Sequence, residues 1–185
     1  MPHIHTGENE HDLTVSAYIA RTDTDEPKVL VHMHKKLGRL LAIGGHVELL
    51  ETPWQALAHE LEEESGYSLD QLQVLQPSSR IKKLSKVALH PYPLAVNTHS
   101  IPQTHFHTDL EYGFVTTTDP SHAIGAGESL DLRWYTQVEL NGLDSSLIYD
   151  NTKEIYNFLF EEALPNWEKV NTDEYLLDFP EEYKD

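Results

Sequence analysis

The segment from Thr52 to Gly66 constrains the fold more than any other part of the sequence, because it carries both a helix start and a helix stop. Thr52 is a suitable N-cap, Pro53 suits the first helical position, and Gln55 stands where a capping box requires it. Glycine is a typical residue just after the C-terminal end of a helix. The pattern therefore predicts a helix that begins at Pro53 and ends before Gly66.

Three glutamates share one face of this predicted helix. Glu60, Glu63 and Glu64 fall within about 100° of arc, since each residue advances the helix by about 100°. An apolar arc beside them is formed by Trp54, Leu57, Ala58 and Leu61. Like charges at this spacing repel one another, whereas hard cations such as Mg²⁺ prefer carboxylate oxygen. Taken alone, the run favours a solvated acidic face, with a divalent-metal site as the alternative.

The spacing around the glutamates resembles the Nudix box. That pattern is Gly, five residues, Glu, seven residues, then Arg-Glu-apolar-any-Glu-Glu-any-Gly-apolar, and it aligns with the segment from Gly45 to Tyr67. The positions that match a specified residue are Gly45, Glu51, Glu60, Glu63, Glu64 and Gly66. The resemblance implies an α/β fold, the Nudix-type α/β/α sandwich with a mixed β-sheet. The order of predicted strands and helices also suits that fold.

The resemblance also implies a metal centre and an activity. Glu60, Glu63 and Glu64 are the expected catalytic residues and, with the backbone carbonyl of Gly44, the expected ligands of Mg²⁺ or Mn²⁺. Such a metal activates water for attack on phosphorus. We therefore expect hydrolysis of a phosphoanhydride bond in a nucleoside diphosphate linked to another moiety. The alternatives are a weak or inactive Nudix domain that senses a nucleotide, and isopentenyl diphosphate isomerisation, which by resemblance needs a cysteine that this chain lacks.

His59 is the clear departure from the box, because the family has arginine there. By resemblance, that arginine pairs with Glu51 and braces the loop against the helix. A neutral imidazole donates one hydrogen bond, whereas arginine is a permanent forked donor. If His59 replaces the brace, it should lie within reach of Glu51 and have a raised pKa. Residues 34–48 and 104–113 resemble an uncharacterised bacterial branch of the family, which does not identify the substrate.

A second polar pattern lies downstream of the box. His105, His107, Asp109 and Glu111 alternate along the chain, so a strand would place all of them on one face. An exposed face of the sheet is the simpler interpretation. The functional interpretation is that this face borders the substrate cleft beside the box helix or adds a metal ligand, because imidazole suits transition metals.

Other charged residues offer weaker hypotheses. Glu111, Glu128 and Asp131 are candidates for a general base outside the box. A basic cluster consists of Arg80, Lys82, Lys83 and Lys86. It is either a solubilising loop or a contact for a substrate phosphate.

The remaining sequence bounds the organisation of the chain. We expect one domain over 1–163, with strands near 13–21, 28–35, 72–75, 87–96, 105–118 and 130–135 and a second helix over 147–163. We expect 164–185 to be an acidic tail, either solvated or docked on the domain or on a second subunit.

The formal net charge of -18 argues against duplex nucleic acid as a partner. The absence of cysteine, of a signal segment and of a membrane-length apolar run favours the cytoplasm. A small nucleotide or diphosphate is the expected partner, and the resemblance allows a homodimer.

Overall fold

The computed structural model describes residues 10–101 and 105–178, and within them the chain forms a mixed sheet. Its strands are β1 (His11–Arg21), β2 (Lys28–His34), β3 (Arg39–Leu41), β4 (Ile43–His46), β5 (Gln73–Gln76), β6 (Ala95–Ser100), β7 (Phe106–Thr116), β8 (Leu132–Tyr135) and β9 (Glu168–Asn171). The main order is β3-β2-β1-β7-β5-β9, with β4 on β1, β6 on β7 and β8 on β2. The long central pair β1 and β7 is parallel, and the other pairs are antiparallel. The predicted mixed sheet is confirmed.

Helices cover both faces of the sheet. The box helix consists of α1 (Pro53–Glu60) and a π-helical turn (Leu61–Ser65). The second long helix consists of α3 (Asp150–Phe158) and another π-helical turn (Leu159–Ala163). The shorter elements are α2 (Gln137–Asn141), α4 (Leu164–Asn166) and the 3₁₀ turns Leu69–Gln71 and Thr172–Glu174. Among the described residues, no helix is long and apolar enough to cross a membrane.

The signals that start and stop the box helix act as the sequence predicts. Thr52 Oγ1 accepts a hydrogen bond from the Gln55 N–H at 3.2 Å, and Gln55 Oε1 accepts one from the Thr52 N–H at 2.8 Å. Gly66 ends the helix with a φ of 73°. A Cβ at this position would lie 2.3 Å from the carbonyl oxygen of His122, so the stop requires glycine for steric as well as conformational reasons.

Alternate residues of β1 divide the interior into two layers. Val15, Ala17 and Ile19 belong to the core that packs against the box helix, in which Trp54 and Leu57 are fully buried. Tyr18 and Ala20 belong to the core on the other face, together with Tyr156 and Leu159 of the second long helix. This alternation is the period-2 geometry of a strand that is buried on both faces. The result is the α/β/α sandwich that the resemblance implied.

One predicted strand needs correction. The strand expected near 87–96 begins only at Ala95, because Pro91 and Pro93 lack the backbone N–H that a sheet requires. Of the two alternatives for the tail, its described part is docked on the domain, since β9 pairs with β5 and the Tyr175 ring lies 5.8 Å from the Trp54 ring. Residues 179–185 of the expected tail lie outside the described residues, as do the first nine residues.

Candidate active site

Two of the box glutamates are buried at the C-terminal end of the box helix. Glu60 is 2% exposed and Glu64 is 7% exposed. Burial raises the pKa of Glu60 to about 8, and the charge of Glu64 adds to this effect. Burial likewise raises the pKa of Glu64 to about 8, although a hydrogen bond from Gly44 opposes the shift. Two adjacent buried carboxyls resist ionisation unless a cation compensates their charge.

The Gly44 peptide brings the sheet into contact with Glu64. The Gly44 N–H donates a hydrogen bond to Glu64 Oε2 at 3.0 Å. A Cβ at Gly44 would lie 2.1 Å from the Val15 carbonyl oxygen, so only glycine lets β4 approach β1 this closely. The sequence therefore places a backbone peptide, without an intervening side chain, beside the buried carboxylates.

His32 does not neutralise this pair. Its Nε2 lies 3.5 Å from Glu64 Oε2, and its side chain is buried. Burial lowers the pKa of His32 to about 4, so the imidazole is neutral near pH 7. The site thus combines buried carboxylate oxygens with a neutral histidine, and its oxygen donors match the preferences of Mg²⁺ or Mn²⁺.

His59 contacts two of the box carboxylates. Its Nδ1 lies 3.5 Å from Glu51 Oε1, and its Nε2 lies 3.1 Å from Glu63 Oε1. Partial burial alone would lower the pKa of His59, but the Glu63 hydrogen bond and the charges of Glu63 and Glu51 produce a net increase. The imidazole therefore lies between the first half of the box and the helix, where the expected brace would be. Glu63 contacts His59 and, unlike the two buried glutamates, is about half exposed.

A loop after β7 covers the end of the box helix. The Gly125 N–H donates to the Glu63 carbonyl at 2.7 Å, and the His122 N–H donates to the Gly66 carbonyl at 3.0 Å. The same loop carries Glu128, whose negative charge contributes to the raised pKa of both Glu60 and Glu64. Glu128 is therefore electrostatically coupled to the two buried carboxyls.

The comparisons with known proteins identify the family. The model of the NUDIX domain matches residues 11–158 of this chain. The chain belongs to the Nudix family. It is a hydrolase of this family, whose members act on pyrophosphate bonds. No curated protein matches it.

Solved structures give the Nudix hydrolase fold independent support. A NUDIX-family hydrolase from Clostridium perfringens is 30% identical with a TM-score of 0.64, and the match covers 80% of this chain and 97% of that one. A C. elegans Ap4A hydrolase is 13% identical with a TM-score of 0.57, covering 79% and 93%. The NUDIX domain of Shewanella oneidensis NrtR, complexed with ADP ribose, is also 13% identical, with a TM-score of 0.54 and coverage of 85% and 89%.

The second polar pattern of this Nudix hydrolase lies on the sheet face opposite the box helix. Asp109 accepts a hydrogen bond from Ser16 at 2.8 Å, and Glu111 accepts one from Asn97 at 2.8 Å. Tyr112, which points the other way, packs against Trp54. The prediction that this face borders a cleft beside the box helix therefore does not fit its orientation. Substrate binding by these residues stays a prediction. It would require the substrate to reach the face of the sheet opposite the box helix.

His105 and His107 belong to the same polar group. Their Nε2 atoms are 2.8 Å apart, although His105 precedes the first residue of β7. The expected alternation therefore brings the two histidines and the two acids of the pattern to one side of the sheet, as the strand geometry requires.

Two of the general-base candidates are engaged elsewhere. Asp131 forms a bidentate pair with Arg133, with contacts of 2.7 and 2.6 Å. Glu111 lies on the far face of the sheet, where burial and the charge of Asp109 raise its pKa to about 8. Glu128 is the remaining candidate and is the one coupled to the box carboxyls.

The basic cluster has a structural contact. Arg80 Nη1 lies 2.5 Å from Glu168 Oε2, and the Arg80 side chain is only 4% exposed. Lys82 Nζ lies 3.3 Å from the same carboxylate oxygen. These ion pairs attach the loop after β5 to β9, so the two cations are already paired with protein charge.

Sequence reasoning missed His32, Asp12 and His46 as members of polar sites. His32 falls in an apolar strand, where the surrounding Val and Leu residues hide its role. Asp12 and His46 become neighbours only because β4 pairs with β1. For His32, the available signal was a polar residue within a predicted apolar strand.

Proposed function

We propose that this Nudix hydrolase cleaves a phosphoanhydride bond in a nucleoside diphosphate linked to another moiety, by attack of water on phosphorus. Glu60, Glu63, Glu64 and the Gly44 carbonyl would hold Mg²⁺ or Mn²⁺. The observation that supports this most directly is the buried pair of carboxyls beside the Gly44 peptide, with a pKa of about 8 for each. Such a pair is costly to ionise in the protein alone and favourable to ionise with a divalent cation.

The bound metal would neutralise pyrophosphate charge and lower the pKa of water. The chain's own residues supply position and proton transfer. Gly44 fixes one oxygen of Glu64, and the Thr52 cap and the Gly66 stop fix the length of the helix that carries the carboxylates. Glu128 would be the general base that accepts a proton from the attacking water, because its loop is hydrogen-bonded to the box helix through Gly125 and Glu63 and its charge acts on Glu64.

The charge of the chain and the neighbouring structures support the proposed substrate class. A chain with a net charge of -18 needs a local cation to accept an anionic ligand, and the proposed metal provides it. The C. elegans structure is that of an Ap4A hydrolase, and the Shewanella domain holds ADP ribose. Both names describe nucleotide-linked polyphosphates, which supports the same chemical class here.

The test is a product analysis with the full chain and Mg²⁺ or Mn²⁺. The substrate panel contains dinucleoside polyphosphates, ADP-ribose and nucleotide sugars, with products identified by mass in ¹⁸O-labelled water. We expect metal-dependent cleavage of at least one compound and incorporation of one ¹⁸O into a phosphate product. Label in a non-phosphate product, or turnover that is unchanged by removing all metal, would contradict the mechanism.

A further inference from the structure

A second group of possible metal ligands lies apart from the box glutamates. It consists of Asp12 on β1, His46 on β4, His107 on β7 and His105 just before β7. Residues that pair directly across neighbouring strands point to the same face of a sheet. Asp12 pairs with His107 in the β1–β7 register, and Thr14 pairs with His46 in the β1–β4 register. The register of three strands therefore brings the group together.

The distances within the group suit a single ion. His105 Nε2 and His107 Nε2 are 2.8 Å apart, and His46 Nε2 lies 3.3 Å from His107 Nε2. His46 Nε2 is also 3.3 Å from Asp12 Oδ2, and one ligand atom from each of the four residues lies within 4.8 Å of the others. A tetrahedral Zn²⁺ with bonds of about 2.0–2.1 Å separates its ligand atoms by about 3.3 Å. Small side-chain adjustments would therefore complete the coordination.

The contacts within this group cannot all be hydrogen bonds. A neutral imidazole nitrogen carries either one hydrogen or one lone pair, so His107 Nε2 can form only one conventional hydrogen bond with its two nitrogen neighbours. Asp12 Oδ2 is buried and makes no hydrogen bond, although His46 Nε2 is close. A cation would accept a lone pair from each nitrogen and from the carboxylate, so it would satisfy all four contacts together.

We propose that Asp12, His46, His105 and His107 form a site for one zinc-class ion, Zn²⁺ or Co²⁺. Imidazole nitrogen suits such transition ions, whereas Mg²⁺ prefers oxygen ligands. The site differs in this respect from the all-oxygen box set, and the proposal does not depend on the proposed hydrolysis.

Four protein ligands make this a closed, structural site. Structural zinc sites use four protein ligands, whereas catalytic sites keep a position for water. The ion would join β1, β4 and the start of β7, which are distant in sequence. His46 is two residues after Gly44, so the ion would also fix the end of the strand that contacts Glu64.

Zn²⁺ and Co²⁺ binding to the full chain tests the site. The protein carries no affinity tag, because polyhistidine binds the same ions, and it is stripped of metal before titration in excess Mg²⁺. We expect one Zn²⁺ per chain by calorimetry, a visible Co²⁺ absorption band typical of tetrahedral coordination, and a higher melting temperature with Zn²⁺. Glu60→Gln/Glu64→Gln should retain all three signals, which separates this site from the box.

Variants of the ligands decide the assignment. His46→Ala and His107→Ala should each weaken Zn²⁺ binding by at least ~10-fold. Asp12→Asn offers a nearly isosteric variant if a histidine variant does not fold, as judged by circular dichroism. His99→Ala is the matched control, because its ring lies 5.4 Å from that of His107 but outside the ligand group, and it should bind normally. Absence of Zn²⁺ binding, or binding unaffected by the ligand variants, would overturn the proposal.

Discussion

Strand β4 contacts one group of polar side chains through Gly44 and contributes His46 to another. The two groups differ in the type of ligand atom and in the secondary structure that carries them. The box group offers carboxylate oxygens from one helix, with Glu64 held by the Gly44 N–H. The second group offers imidazoles and Asp12 from three strands, with His46 two residues beyond Gly44 on the same strand. Oxygen donors select Mg²⁺ or Mn²⁺, whereas imidazole donors select zinc-class ions. On these two proposals, one short strand lies between two sites of different metal preference.

The box group should dominate catalysis. We expect Glu60→Gln/Glu64→Gln to reduce metal-dependent turnover at least ~1,000-fold, because loss of even one supporting group around a metal ligand costs about 10–100-fold. Steady-state kinetics with a substrate from the panel measures this, with circular dichroism as the check on folding. Turnover near the wild-type value in the folded variant would remove the carboxylates from the mechanism.

Glu128 should have a large but smaller effect. We expect Glu128→Gln to reduce kcat about 100-fold, which is typical for loss of a general base, with little change in Mn²⁺ affinity. Asp131→Asn is the matched control, because it removes a candidate carboxyl that is already paired with Arg133. Equal kcat values for the Glu128 variant and the wild type would assign proton transfer to another group.

Glu111, on the sheet face opposite the box helix, should make the stability of the protein depend on pH. Burial and the charge of Asp109 raise the pKa of Glu111 to about 8, and Tyr18 and Asn97 are its hydrogen-bond partners. Because the folded pKa exceeds the unfolded value, this contribution to stability is full below about pH 4.5 and is lost as the pH rises through about 8.

Thermal melting from about pH 5 to 9 measures this contribution. We expect the melting temperature of Glu111→Gln to fall less than that of the wild type over this range, by roughly 5 °C, since a neutral amide has no proton to lose. Parallel curves for the two proteins would show that Glu111 does not titrate as its burial implies.

His59 should give the smallest effect. Its contacts with Glu51 and Glu63 raise its pKa, so this stabilisation is full below the unfolded pKa near 6.5 and fades as the pH rises through the folded value. We expect His59→Arg to retain activity and to reduce the alkaline loss of stability by less than about 1 kcal/mol, because the pair is partly exposed. Melting curves that coincide with those of the wild type would show that His59 does not serve as a brace.

The same two groups show how much of the molecule its sequence predicts. The box helix was predictable because Thr52 and Gly66 mark its ends locally, and the spacing of the box glutamates gave the family resemblance. The group around His46 was only partly predictable, since alternation related His107 to Asp109 but could not reveal that parallel pairing of β1 and β7 brings Asp12 alongside. Which strands pair when they are distant in sequence depends on the topology of the whole sheet, which a local pattern does not show.

The chain's last described segment illustrates the same difference. Its acidic composition suggested a solvated tail, but Val170 and Tyr175 supply apolar surface that completes the core beside Trp54. A few buried side chains outweighed the average composition of the segment, because the acids around them can remain in water while the apolar groups pack.

Direct measurement of Mn²⁺ binding tests the central claim that the box carboxylates hold the divalent metal. Electron paramagnetic resonance of free Mn²⁺, titrated with metal-stripped protein, reports binding without turnover. The account predicts Mn²⁺ binding by the wild type and by His46→Ala, and its loss in Glu60→Gln/Glu64→Gln. Unchanged Mn²⁺ binding in the folded double variant would contradict the account.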